Sequence, residues 1–448
     1  MKLGLIAMSG VRAHNPELTA LGLTLPGFVE RNKVIASLPS LGLLTLAGLT
    51  PPSVKTRYLE VPDIDAVSGV PEEFDVVAIS SFSAQIGEAY ALADRYRALG
   101  TKVILGGLHV SAMPDEARAH ADAVVIGEGE PVWSRLMSNL LENGRNLREV
   151  YDARLLDYDF TDSPMPRFEL LNIDSYNRLT VQTQRGCPFR CEFCAASIRI
   201  SPTYKVKPVD RVLAEIRKIK SLWSRPFIEF ADDNTFVNKS HSKQLMRAIA
   251  PEEIRWFTET DLSVADDVEL LEMMRDAGCA EVLIGFESTT FSGLDGLEQR
   301  SNWKAKRVDK YLDAVRTIQN HGIRVNGCFI LGLDGTGLDS FDAIWQFVQE
   351  SGLFDVQITV QTAFPGTPLY ARLKSEGRIL RDEAWELCTL FDVNFKPAKM
   401  SVAELEAGLR GLASQIYSDE STLERRTRFR RNYHLQRRSE MQQRDQIQ

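Results

Sequence analysis

The chain has 448 residues, 44% hydrophobic and 25% charged, with a formal charge of −8. This is the composition of an ordinary globular protein, long enough for two or three domains. The acidic balance argues against non-specific nucleic-acid binding by the whole chain, and no apolar run is long enough to cross a bilayer. The opening MKLGLIAMSG reads as part of the fold rather than as a signal peptide, so the expected compartment is the cytosol.

Residues 1–150 alternate apolar runs with helical stretches. Segments 3–8, 75–80, 102–105 and 122–126 read as short buried strands, and 84–99 and 114–120 as helices. The expectation is an α/β domain with a doubly wound, Rossmann-like parallel sheet that binds ligand at the carboxyl ends of its strands. The loops there are 80–83, with Ser80 and Ser81, and Gly106-Gly107-Leu108-His109, the glycines allowing close backbone approach. Residues 151–178, with Pro164, Pro166 and several Asp, read as a linker.

A second series follows over 179–400. Strands are expected at 179–184, 227–231, 255–259, 281–286, 325–331 and 356–361, with helices near 208–222, 240–250, 266–277, 304–321 and 339–351. Such repeats with right-handed crossovers predict a curved sheet or partial (β/α)6 barrel, its mouth at the carboxyl ends of the strands. Residues 401–448 are read as losing the apolar periodicity, with seven arginines between Arg425 and Arg438. They are expected to form a solvated helical or disordered tail.

Of six cysteines, Cys187, Cys191 and Cys194 fall within eight residues, while Cys279, Cys328 and Cys388 are scattered. The cluster lies in Gln184-Arg185-Gly186-Cys187-Pro188-Phe189-Arg190-Cys191-Glu192-Phe193-Cys194, spaced Cys-x3-Cys-x2-Cys directly after a strand. Thiolates are soft ligands suited to iron–sulfur clusters, and three of them leave one iron of a 4Fe–4S cluster open to a reactant. Zinc would want four ligands in paired spacing, and no nearby residue completes such a set. Inert core thiols are the other reading. Cys279 and Cys328 read as small buried hydrophobes, with a methyl-carrying role as the alternative.

With Phe193 before the third cysteine, the segment resembles the Cys-x3-Cys-x-aromatic-Cys signature of the radical S-adenosylmethionine (SAM) superfamily. The resemblance implies a 4Fe–4S cluster on Cys187, Cys191 and Cys194, with SAM chelated at the open iron and cleaved to a 5′-deoxyadenosyl radical. It also implies an electron source such as flavodoxin or ferredoxin. Asp232 and Asp233, ending the second barrel strand, match a family contact to the SAM amino group; a solvated turn is the competing reading. Glu287 matches a contact to the SAM ribose or carboxylate. Gly332, in Gly327-Cys328-Phe329-Ile330-Leu331-Gly332-Leu333, resembles an adenine-contact motif, and Phe364-Pro365-Gly366-Thr367-Pro368-Leu369-Tyr370 the loop after the sixth strand.

The N-terminal segments Ser37-Leu38-Pro39-Ser40-Leu41-Gly42-Leu43-Leu44, Leu105-Gly106-Gly107-Leu108-His109, Pro114-Asp115-Glu116 and Gly127-Glu128-Gly129-Glu130 resemble the cobalamin-binding domain of one radical SAM subgroup. There Ser40, Leu41, Ser80, Ser81, Gly106, Gly107 and His109 are implied cofactor contacts. One departure stands out: no Asp-x-His-x-x-Gly motif supplies a base to cobalt. Two readings follow, cobalamin held without a protein base or a retained fold that holds none. His109 has two readings as well, ligand contact or packed histidine. The subgroup implies cobalamin-dependent methylation of an unactivated carbon in a small-molecule or lipid precursor, similar to the hopanoid methylases. The alternatives are a non-methylating radical SAM enzyme and a non-catalytic iron–sulfur or corrinoid sensor or carrier.

Overall fold

The computed structural model describes residues 1–20, 38–142, 147–156, 158–195 and 203–447, the side chains of 19, 20, 437 and 439–447 excepted. Ser37, the first residue of one quoted motif, lies outside them. The N-terminal sheet contains β1 (Lys2–Met8), β2 (Lys55–Val61), β3 (Val76–Ser80), β4 (Lys102–Gly106), β5 (Ala123–Ile126) and β6 (Val150–Asp152). All pairs are parallel, in the order β2-β1-β3-β4-β5-β6. The order reverses at β1, so the crevice at the carboxyl ends of β1 and β3 is the expected ligand position of a doubly wound sheet. Both faces are covered. Leu3, Leu5 and Ala7 pack towards Leu44 and Trp133, while Ile6 and Met8 pack towards Ile86 and Tyr96 on the other side. Each fully buried aliphatic side chain here contributes about 1.5–3 kcal/mol.

The second sheet contains β7 (Leu179–Val181), β10 (Phe227–Phe230), β11 (Arg255–Thr260), β12 (Cys279–Glu287), β13 (Arg324–Leu331) and β14 (Asp355–Val360). Its order, β14-β13-β12-β11-β10-β7, follows the chain, every pair is parallel, and β14 does not pair with β7. This is the partial barrel that the strand–helix alternation predicts. A short antiparallel pair, β8 (Gln184–Arg185) with β9 (Lys205–Val206), brackets the cysteine segment.

The tail is helical, as expected, but the expectation that it is solvated and without apolar periodicity needs correction. Residues Val402–Ile416 form an amphipathic helix that buries Leu405, Leu409, Leu412, Ala413 and Ile416. This is the spacing of one helical face. Ser401 and Glu404 close a capping box at its start. The next helix, Asp419–Ile447, is anchored rather than solvated along its first turns. Buried Arg425 donates to Ile416 O at 2.8 Å and Ser421 Oγ at 2.6 Å, and Arg428 donates to Gln349 O at 2.6 Å. Arginine stems cover apolar surface while the guanidinium groups satisfy carbonyls left open at helix ends.

Arg426 of the same helix reaches Asp355 at 3.3 Å, near a buried polar layer inside the barrel. There Glu281 is 1% exposed, with Asn326 Nδ2 at 3.5 Å as its hydrogen-bond donor. Burial, reinforced by the Asp355 charge, pushes the Glu281 carboxyl up to about 8. A group that holds its proton more tightly when folded stabilises fully below its unfolded pKa, and that contribution is lost as pH rises through the folded value. Stability should therefore decline between about pH 5 and pH 8 through this residue. Glu281→Gln should flatten the decline in denaturant midpoint across that range. An unchanged pH slope in the variant would show that Glu281 is not the group responsible.

Candidate functional site

The cysteine segment leaves β8 and is tied down from two directions. On one side, Glu192 N donates to Leu297 O at 3.0 Å, Gln299 N to Arg190 O at 2.9 Å, and Arg300 Nη1 to Pro188 O at 3.0 Å. Buried Glu298 anchors this strap. Burial alone would raise its carboxyl, but hydrogen bonds from Ser301, Arg300 N and Arg190 N outweigh it and bring it down to about 2. On the other side, Arg372 clasps Glu192 through two nitrogens at 2.7 and 3.1 Å, and Leu369 N donates to Glu192 O at 3.0 Å. The Pro-Gly-Thr-Pro-Leu-Tyr loop thus leads into a helix, Pro368–Ser375, that braces the segment.

Cys187, Cys191 and Cys194 all line one cavity of about 310 Å³ at the barrel mouth, with Phe189, Phe193, Asp233, Glu287 and Lys304. Burial pushes Cys187 up to about 11 and Cys191 up to about 12, with the nearby Cys194 adding to the rise at both. Thiolates in such a place require a compensating cationic group, which a cluster supplies. Among the described residues no three His, Cys, Asp or Glu stand at the spacing of a single metal ion. The donor set, three soft sulfurs facing one cavity, fits a multi-iron cage better than a mononuclear site. Cys328 faces the same cavity from β13, near Glu287 and Glu259.

A bulge aims Glu287 into this cavity. The β12–β13 register shifts between Gly285 and Glu287, and Glu287 takes a left-handed φ of 62°. It pairs with Lys304, whose Nζ also donates to Gly285 O at 2.9 Å. A Cβ at Gly285 would lie 2.4 Å from Glu287 Oε1, so only glycine leaves this pair its place. The barrel wall adds Glu259, Gln357, Thr359 and Gln361. Burial, with Glu229, Asp233, Glu287 and Asp232 nearby, pushes Glu259 up to about 8. Carboxylates grouped this way complement a cationic ligand, as the sulfonium and ammonium groups of SAM would be.

The second cavity, about 330 Å³, opens at the carboxyl ends of the N-terminal sheet. Leu41, Leu46, Ile104, Val125 and Trp133 give it apolar walls; Ser80, Gly106, Gly107 and Gly129 leave its rim low. Apolar walls with polar edges of this kind suit a broad ring system, and among the described residues no imidazole lines the crevice.

The sequence-derived candidates divide accordingly. Phe193, Asp233 and Glu287 join the triad, while Leu41, Ser80, Gly106 and Gly107 line the other cavity. Ser40 caps the helix Leu41–Leu49 and Ser81 donates to Phe82 O at 2.9 Å, neither on the cavity wall. His109 is fully buried outside both cavities, 3.0 Å from Ser83 Oγ and 3.5 Å from Glu116, with Trp385 against its ring. Asp232 is a brace: it accepts from Thr183 N at 2.7 Å and Gln184 N at 3.0 Å, tying β10 to the strand that leads into the cysteines. Gly332 turns under Leu405, beyond the cavity lining. Sequence reasoning missed Lys304, Glu259, Gln357 and Gln361. For the last two a signal existed, since 357, 359 and 361 are polar at strand spacing in an otherwise apolar run.

Comparison with known proteins matches three stretches of the chain to known families. Residues 32–136 match the B12 binding domain, 181–348 the radical SAM superfamily, and 367–448 a domain of unknown function, DUF4070. The chain is 28% identical over 384 residues to bacteriochlorophyllide d C-12(1)-methyltransferase of Chlorobaculum tepidum, covering 83% of this chain and 82% of that protein. It is 28% identical over 364 residues to hopanoid C-2 methylase of Rhodopseudomonas palustris, covering 78% and 67%. In fold it is similar to the radical SAM methyltransferase TsrM of Kitasatospora setae, solved with cobalamin and a 4Fe–4S cluster, at a TM-score of 0.64 and 16% identity over 94% of this chain and 82% of that one. The chain thus carries a B12-binding domain followed by a radical SAM domain, is similar to cobalamin-dependent radical SAM methyltransferases, and its two domains imply a 4Fe–4S cluster, SAM and cobalamin as cofactors.

Proposed function

We propose that this enzyme methylates an unactivated carbon of a small-molecule or lipid precursor. When bound, its cofactors supply a deoxyadenosyl radical that removes one hydrogen atom from the substrate and a methyl group that takes its place. The observation that carries this reading is the position of Asp233, which lines both cavities. A substrate near it would face the cysteine triad on one side and the corrinoid crevice on the other. Cys187, Cys191 and Cys194 would hold the cluster. Asp233 and Glu287 would orient the charged groups of SAM, while Leu41, Ser80, Gly106 and Gly107 would seat the corrin ring. Electrons would come from a reductase such as flavodoxin or ferredoxin. The relatives named for bacteriochlorophyllide and hopanoid work support a largely apolar substrate with few polar groups. So does the wall formed by Leu283, Ile330, Phe364 and Leu390 among Gln357, Gln361 and Glu259. Among the described residues no helix is long and apolar enough to cross a membrane, which is compatible with a cytosolic enzyme drawing such a substrate from solution or from a membrane face.

Anaerobic incubation with methyl-labelled SAM, cobalamin, a chemical reductant and extracts of apolar metabolites tests the reading. Label in a carbon-bound methyl of an extracted compound is the expected result. Deoxyadenosine without transferred label would instead favour a non-methylating radical enzyme.

A further inference from the structure

Arg185 stands between the two cavities. It follows β7 by a short turn, lies two residues before Cys187, and sits on β8 opposite Lys205 of β9. Its guanidinium reaches the loop and helix start that follow β5: Nη1 donates to Glu128 Oε1 at 3.0 Å and Nη2 to Glu130 Oε1 at 2.8 Å. Nε and Nη2 are shared with Gln182 Oε1 at 3.1 and 2.9 Å, and the plane lies 4.7 Å from the centroid of Phe160, a linker residue. Lys205 Nζ adds a second cation to Glu128 at 2.9 Å. Glu128 and Glu130 both belong to the wall of the corrinoid cavity, and Glu130 begins the helix Glu130–Leu141, where a carboxylate also meets the helix dipole. The residue after Arg185, Gly186, donates its N–H to Asp233 at 2.8 Å, and Asp233 faces both cavities.

We infer that Arg185 is a positioning residue, which fixes the distance between the cysteine-lined cavity and the corrinoid crevice by clamping the segment before Cys187 to the Glu128–Glu130 loop. The physical case rests on what a buried ion pair does well. Desolvation offsets much of its attraction, so it adds little net stability, yet it holds a planar fork in one geometry. Four N–H donors of one guanidinium engage three acceptors on two structural units, which leaves little freedom of relative movement. Chemistry that must reach from one cofactor to the other is sensitive to displacements of about 1 Å, which can cost about a hundredfold. Lysine would keep the charge and lose the fork.

This inference rests on the proposed cofactor sites, and its test separates the two. The full chain is reconstituted with iron, sulfide and cobalamin in native form and as Arg185→Lys, Arg185→Gln and Glu130→Gln. Iron and cobalamin per chain are measured first. The magnetic coupling between reduced cluster and cob(II)alamin is then read by pulsed electron paramagnetic resonance. SAM with a chemical reductant, and no other substrate, is the probe for turnover. S-adenosylhomocysteine reports methyl passed from the sulfonium to Co(I), and deoxyadenosine reports reductive cleavage at the cluster. The expected result is unchanged cofactor content, a broadened distance distribution, and a ratio of S-adenosylhomocysteine to deoxyadenosine shifted by about tenfold or more in the variants. An unchanged distribution and ratio in all three overturns the clamp. So does loss of both cofactors together with the folded state, which would make Arg185 a stability residue only. Absence of either cofactor signal in the native chain overturns the proposed function itself.

Discussion

Cys191→Ala should reduce the iron and sulfide of the reconstituted protein to background and abolish deoxyadenosine formation. Cys191 is the most buried of the three triad thiols, and its backbone carries much of the segment's restraint. Cys194 N donates to Cys191 O at 3.0 Å, and Cys191 bridges to Glu298 in the strap behind it. The loop is therefore held by backbone and Glu192 contacts that alanine leaves intact, so loss of the cluster would reflect loss of a ligand rather than loss of the fold. Cys279→Ala is the matched control. Its thiol is equally buried but lies at the start of β12, donating to Glu281 O at 3.6 Å. That variant should keep full iron content at a cost of about 1 kcal/mol in stability. A full 4Fe–4S visible spectrum in Cys191→Ala would remove this residue from the ligand set.

The second large effect belongs to the other cavity. Gly107→Val should abolish cobalamin binding while leaving the iron–sulfur cluster in place. Gly107 has a φ of 103°, where a β-branched residue is strained, and a Cβ there would sit 3.0 Å from Ser80 Oγ. The strain costs about 1–3 kcal/mol, and relief would move the β4 loop into the crevice that Gly106, Gly107 and Ser80 border. Equilibrium dialysis against hydroxocobalamin, with iron determined on the same sample, reads both halves. Retained cobalamin binding would show that the corrinoid does not rest on this loop. Parallel loss of the cluster would show that the substitution acts on the whole fold.

The two effects are separable because the chain builds its sites on different elements, and that also decides what its sequence discloses. The triad is legible because its three cysteines fall within eight residues and share one chemistry. The strands of both sheets are legible because parallel sheets buried on two faces need near-continuous apolar runs. β2 escapes notice because Lys55, Arg57 and Glu60 interrupt it at the sheet edge. The buried face of the helix Val402–Ile416 escapes because Gly408, Gly411 and its glutamates dilute a period that packing then makes plain. Asp232 and Asp233 are adjacent and chemically identical. Only the backbone direction after β10 decides that one braces Thr183 while the other faces the cavities. Arg185 was in view from the start, but Glu128 and Glu130 lie 57 and 55 residues away, so no local pattern announces the clamp. Lys304 lies where a regular helix is expected. Instead a 3-10 stretch, Ala305–Lys310, precedes the helix Tyr311–Asn320, and the irregular start lets the ammonium turn inward to Glu287.

On the proposed reading, three sulfurs would hold one cluster that leaves an iron open to SAM, beside a corrinoid. Electron paramagnetic resonance of the reduced, reconstituted native chain, titrated with SAM and paired with iron, sulfide and cobalt analysis, tests it most directly. One 4Fe–4S cluster and one corrinoid per chain, with a cluster signal that changes saturably as SAM is added, is the predicted outcome. A cluster signal indifferent to SAM, or a mononuclear metal in its place, would contradict it.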